Sequence, residues 1–263
     1  MISLLERIAA AKRKEIEELK TNLDISGVAP RIAGIDPRPY LCRGDGRMAV
    51  IAEVKKASPV KGVLCQNFDP VGLAESYQKN GAGAVSVITD QGFFQGAREY
   101  LTQVKSVIDL PVLRKDFILD PVQLYESILL QADMILLIAA MHDYESLLTL
   151  SEKAEELGLY TLLEVHDRDE LRMSRDLPVA MIGINNRNLK DFTVSLATSL
   201  HLVDEMPQHV IRLSESGISD HNDLSTLQKA GFHAALIGEA LVSAINPGLR
   251  LRDILQYNRG CEE

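Results

Sequence analysis

Apolar and polar positions follow two periods along the chain. Short aliphatic runs rich in β-branched residues recur at 49–54, 84–89, 111–115, 134–138, 160–165, 180–185, 210–214 and 235–238, and each reads as a strand buried on both faces. Between them, apolar residues at helical spacing predict helices over 70–80, 99–108, 121–131, 144–157, 169–174, 196–204 and 221–230. Gly81, Gly158 and Gly231 stand where helices should stop, as suits a left-handed C-cap. Strand and helix alternate throughout, so the units are βα repeats on a parallel sheet. No linker interrupts them, and no G-x-G-x-x-G turn or Walker loop is present. The pattern points to an α/β fold of the closed (β/α)8 TIM-barrel type rather than an open doubly wound sheet.

Residues 1–48 precede the first strand. Leu4, Leu5, Ile8, Ala9, Ile16 and Leu19 fall on one helical face, which predicts an amphipathic N-terminal helical extension. Packing across the barrel rim or mouth is one use of that face, and contact between copies is the other. The charged stretch 12–20 reads as the solvated side of this helix. Extension (1–48) and barrel (49–263) are expected to form a single domain over 1–263.

Composition narrows the classes further. The 263 residues suffice for a barrel of roughly 250. A hydrophobic share of 46% with 25% charged residues suits a chain with a sizeable core. The net charge of −9 and pI near 5.2 argue against general affinity for nucleic acid or anionic membranes, though not against a locally positive cleft. The first residues lack the apolar run of a signal peptide, and the longest apolar run, 134–141, is far short of the roughly 20 residues that span a bilayer. Cys42, Cys65 and Cys261 lie far apart with no C-x-x-C pair, as for thiols in a reducing compartment. A cytoplasmic location is expected.

The chemistry concentrates at strand ends. Barrel enzymes work at the carboxyl ends of their strands, and here those ends carry Glu53 and Lys55, Lys115, Glu164, Asn185 and Arg187, and Glu215. Residues two apart face the same side, so Glu53 and Lys55 point together, as do Asn185 and Arg187. Taken singly, each reads about as well as a rim ion pair. An unpaired buried charge is costly, so a set converging from several strands points to a site. The segments 214–218 (SESGI) and 237–240 (IGEA) follow the seventh and eighth strands, where this fold often binds phosphate. Gly217 and Gly238 would let the backbone approach such a group closely. No His, Asp or Glu cluster has metal-ligand spacing, so no metal is expected.

At these residues the chain resembles the indole-3-glycerol phosphate synthases of tryptophan biosynthesis. The matching segments are 51–59 (IAEVKKASP), 86–90 (SVITD), 111–117 (PVLRKDF), 163–166 (LEVH), 182–189 (IGINNRNL), 214–218 (SESGI) and 236–239 (LIGE), in family order across the whole barrel. Two departures fall near the substrate: Val60 and Ala97 stand where serines are usual.

The resemblance implies conversion of 1-(2-carboxyphenylamino)-1-deoxyribulose 5-phosphate to indole-3-glycerol phosphate, with loss of carbon dioxide and water and with no cofactor. It implies that Lys115 donates a proton to the ketone oxygen and that Glu164 takes the ring proton later. Lys55 would pair with the substrate carboxylate and serve the dehydration, while Glu53 and Asn185 orient substrate and lysines. Clustering of Glu53, Glu164 and Glu215 should raise one carboxylate pKa. Phe94 and Phe117 would pack on the anthranilate ring. Ser58, Arg187, Ser216, Gly217, Gly238 and the backbone N–H of Glu239 would hold the phosphate and glycerol end, with the Glu239 carboxylate turned away. The implied partner is this small phosphorylated substrate, with neither nucleic acid nor membrane. A monomer or weak homodimer fits, as does contact with other tryptophan-pathway enzymes.

His166 reads as a loop histidine capping local backbone, and Arg114 and Asp116 as structural. Two other readings compete. One is a neighbouring phosphate-binding barrel enzyme, such as phosphoribosylanthranilate isomerase or the tryptophan synthase α subunit. The other is a non-catalytic barrel scaffold. The two lysines, Glu164 and the I-N-N-R-N run speak against the first; loss of a site lysine or glutamate would favour the second, and none is missing.

Overall fold

The computed structural model describes residues 3–28 and 34–256. Cys261 and the outer limits of the 1–263 domain lie outside the described residues. The barrel strands are β1 (Ala49–Val54), β2 (Ala84–Ile88), β3 (Val112–Lys115), β4 (Met134–Ile138), β5 (Tyr160–Val165), β6 (Met181–Asn185), β7 (Ile211–Glu215) and β8 (Ala234–Ile237). They pair in parallel in sequence order, and β8 closes on β1, with Ala52 opposite both Ile237 and Val85. The closed eight-stranded TIM barrel expected from the sequence is therefore present.

Period two divides the core in two. Val50, Ala52, Val85, Val87, Leu163 and Ile182 point out against the helices, while Ile51, Leu113, Leu136, Leu162, Met181 and Leu213 fill the barrel interior. Continuing the inner face toward the strand ends, Ile51 leads to Glu53 and Lys55, Leu113 to Lys115, Leu162 to Glu164, and Leu213 to Glu215. The fold turns an apolar plug into a charged floor within one or two residues.

Helices Pro70–Lys79, Arg98–Lys105, Val122–Leu129, Tyr144–Glu156, Arg168–Met173, Ala197–Leu202 and His221–Ala230 occupy the predicted stretches. Gly81, Gly158 and Gly231 all have positive φ; Gly231 is itself the C-cap, and the other two follow the caps Asn80 and Leu157. Strand bounds shift by one residue at 84–88, 112–115 and 181–185, and at both ends of the last two strands. Glu215 belongs to β7 because it is in register with Asn185 and Leu236, and Gly238 leaves β8 to open the short helix Glu239–Val242. Unexpected elements are Arg38–Leu41, the hairpin arms Ala57–Ser58 and Gly62–Val63, and Pro247–Leu255.

The extension forms α1 (Leu4–Asn22), opened by a capping box between Ser3 and Glu6. Its apolar face lies on the mouth of its own barrel, where Leu4, Leu5 and Ile8 line the cavity. One expectation fails here: 12–20 is not all solvated. Lys12 is 2% exposed, and its Nζ lies 2.8 Å from Asp116 Oδ1, 3.1 Å from Asp90 Oδ2 and 2.9 Å from Glu15 Oε2. The reason is its spacing, four residues from both Ile8 and Ile16, which places it in the buried stripe.

Candidate active site

Every candidate residue named from the sequence lines one cavity of about 770 Å³ at the carboxyl end of the barrel. Leu136, Ile138 and Leu236 form its apolar base. From β3, Lys115 extends its ammonium between two carboxylates, 3.1 Å from Glu164 Oε2 and 3.6 Å from Glu215 Oε2. The Asn185 amide donates to Glu164 Oε1 at 3.0 Å. On the opposite wall, Lys55 Nζ lies 3.0 Å from Glu53 Oε2 and 5.6 Å from the centre of the Phe94 ring. Phe94 and Phe117 have ring centres 6.0 Å apart. The Phe94 loop is tied down by Asp90 Oδ1, which accepts the backbone N–H groups of Phe93 and Phe94.

At the other end, Ser216 and Gly217 take consecutive left-handed conformations. A side chain at 217 would also meet Val194 Cγ1 at 2.5 Å. Asn186, buried, ties this loop to β6: its amide donates to Ser214 Oγ and to the carbonyls of Glu215 and Ser216. Arg187 Nη2 stands 3.8 Å from Glu239 Oε2. Ser58 Oγ accepts from the Lys61 backbone in the hairpin.

Two expectations change. The Glu239 carboxylate is not turned away, because it pairs with Lys61 and faces Arg187, both on the cavity wall. Gly238 has a reason of its own: a Cβ there would lie 2.1 Å from Glu53 Oε2. The glycine makes room for a carboxylate, whatever its part toward phosphate.

The description "Indole-3-glycerol phosphate synthase" matches residues 5–254 as a sequence family. The chain belongs to the indole-3-glycerol phosphate synthase family. An indole-3-glycerol phosphate synthase of Chlorobium luteolum is 45% identical over 244 residues, covering 91% of this chain and 93% of that protein. One of Burkholderia ambifaria is 43% identical over 256 residues, covering 95% and 98%. Among solved structures, a 3-hexulose-6-phosphate synthase superposes with a TM-score of 0.64 at 14% identity, covering 80% of this chain and 99% of that one. KGPDC from Streptococcus mutans does so at 0.60 and 11%, covering 79% and 95%. At such identities these two share the fold alone.

In this member of the indole-3-glycerol phosphate synthase family the floor is strongly polarised. Burial works against the Lys115 ammonium, but Glu164, Glu215 and Glu53 outweigh it and raise its pKa. Burial also pushes the Glu164 carboxyl up, yet Lys115, His166 and Asn185 bring it well below the usual range. Glu215 goes the other way, to about 8, through burial and the repulsion of Glu164 and Glu53, which exceed the pull of Lys115. The raised carboxylate is thus Glu215, and Glu164 stays ionised.

Several participants escaped the sequence reading. Gly183 accommodates Glu215, whose Oε1 a Cβ there would meet at 2.2 Å. Arg250 lines the cavity and donates to the Ser219 carbonyl. His166 does not cap backbone as expected: its Nδ1 meets Glu170 Oε2 at 3.1 Å and its Nε2 faces Glu164 Oε1 at 3.3 Å. Its position two residues beyond Glu164 on one strand face was the available signal. Arg114 is structural as expected: fully buried, it donates to Glu126, Asp116, Ser127 and the Gln123 carbonyl. Among the described residues, no group of three or more His, Cys, Asp or Glu could hold a metal ion, and no helix is long and apolar enough to cross a membrane.

Proposed function

We propose that the cavity closes the indole ring of 1-(2-carboxyphenylamino)-1-deoxyribulose 5-phosphate, releasing carbon dioxide and water to give indole-3-glycerol phosphate in tryptophan biosynthesis. One observation carries this reading: an ammonium and a carboxylate in contact (Lys115 and Glu164) face a second ammonium over an aromatic wall (Lys55 and Phe94) inside one pocket.

The anthranilate carboxylate pairs with Lys55, and the ring rests between Phe94 and Phe117. Lys115 gives a proton to the ketone oxygen as the ring carbon attacks. Its neighbouring carboxylates keep it charged before the step, so the proton is always in place. Loss of carbon dioxide restores the aromatic ring. Lys55 then protonates the departing hydroxyl, and Glu164, ionised and aimed by Asn185, takes the ring proton. Glu53 orients Lys55. Ser58, Arg187, Ser216, Gly217, Gly238 and the Glu239 backbone receive the phosphate and glycerol end, with the Ser216–Gly217 turn offering backbone N–H groups to an anion.

Extension and barrel act as one domain in the cytoplasm, as a monomer or weak homodimer. The use of the apolar α1 face within its own chain supports this state, and contact with other pathway enzymes would have to use other surfaces. The test is direct: purified protein is mixed with the carboxyphenylamino deoxyribulose phosphate, and indole fluorescence is followed. Turnover is expected, and no signal at micromolar enzyme would refute the reading.

A further inference from the structure

His166 stands behind Glu164, and the ring closure proposed above gives it no part. Its backbone N–H donates to Glu170 Oε2 at 2.7 Å, and its Nδ1 lies 3.1 Å from the same oxygen. The ring is therefore aimed from the helix Arg168–Met173. Its Nε2 is buried and makes no aligned hydrogen bond, but faces Glu164 Oε1 at 3.3 Å. Beyond it, Glu164 Oε2 meets Lys115 Nζ at 3.1 Å. The outer end, Glu170, has an 18% exposed side chain. His166 itself is not on the cavity wall.

We propose that His166 is a positioning residue whose ring, held by Glu170, aims the Glu164 carboxylate at the ring proton of the proposed substrate. The inference rests on the proposed ring closure. In that reaction Glu164 takes the ring proton and hands it to the neutral amine of Lys115, while His166 keeps both of its own protons and holds the carboxylate from the side away from the lysine.

Electrostatics agree with this placement. Burial lowers the His166 pKa, but Glu164 and Glu170 more than reverse this, to about 10, so the ring faces Glu164 as a cation. Lys115 is raised from a still higher starting value, so a proton on Glu164 passes downhill to its neutral amine. The charged and titratable groups facing Glu164 are Lys115 from β3, Glu215 from β7 and His166 from its own strand, with Asn185 as the neutral partner from β6.

The test is the pH profile of kcat for His166→Gln, Glu170→Gln and the unaltered protein. Losing the imidazolium should move the acid limb up by about one unit, the size of an opposite charge at this distance. kcat should fall by less than the ~100-fold of a lost general acid, with KM nearly unchanged. Glu170→Gln should shift the limb the same way by less. His166→Gly should regain turnover with added imidazole, which a packing role would not allow. An unmoved limb without imidazole rescue, in variants that melt normally, overturns the inference. Should both His166 variants misfold, Glu170→Gln alone decides it. If the unaltered protein makes no indole, the ring-closure reading fails first.

Discussion

Replacing Lys12 with Met removes one charge from the interior and leaves two carboxylates facing it. Asp90 Oδ2 makes no hydrogen bond and looks at Lys12 Nζ from 3.1 Å. Asp116 is better supplied, since its Oδ2 accepts from Thr89 and Arg114 and its Oδ1 from the Phe117 backbone. Breaking a buried pair from one side costs about 3–5 kcal/mol, and the surviving Asp116 partners place this case near the low end. At about 2–4 °C per kcal/mol for a domain of this size, the melting temperature should drop by ~6–12 °C. Burial lowers the Lys12 pKa, but Asp116 and Asp90 raise it above its ordinary value. A raised lysine contributes fully below its unfolded pKa, so the whole effect is present at pH 7. Asp116, pushed up by burial but held lower by Arg114 and Lys12, contributes above its unfolded pKa and loses that contribution as pH falls. The gap between Lys12→Met and the parent should therefore narrow in acid. Far-UV circular dichroism melts at pH 7 and pH 3 measure both. A loss under about 2 °C at pH 7, as for a surface lysine, would refute this account of α1.

Three further outcomes follow from the site. Lys115→Ala should lower turnover by ~100-fold or more with folding intact, as for a lost general acid, and near-normal fluorescence turnover would remove Lys115 from the chemistry. Glu215 is raised to about 8 in the folded chain, so the native state binds the extra proton and stability falls as pH rises from its unfolded value toward 8. Glu215→Gln should lack this decline, visible in melts between pH 5 and 8. Gly238→Ala places a methyl 2.1 Å from Glu53 Oε2. Overpacking of this kind costs about 1–3 kcal/mol, and turnover should fall as the Glu53–Lys55 contact opens.

The strands were legible because each is a short run buried on both faces, and period two then carries Ile51 to Glu53 and Leu162 to Glu164. The converging charges followed from that alternation alone. What stayed hidden depends on contacts between distant segments. Nothing local marks Gly183 as the space for Glu215, thirty-two positions away by number. Lys12 is different, since its place midway between Ile8 and Ile16 held the signal, but a lysine reads as solvated unless its partners are known. Asp90 and Asp116 become those partners only once β2 and β3 lie side by side. The ends of β7 and β8 were misplaced by a residue because pairing, not composition, sets where those strands stop.

The ring closes where Glu53, from the first strand, leans on the backbone of Gly238, just past the last. Assembly of the proposed site and completion of the cylinder are thus one event. A growing chain carries no working centre until nearly its final turn has emerged, however many of its helices have already formed. In refolding, recovery of turnover should lag recovery of helical signal, and the delay times the joining of that seam.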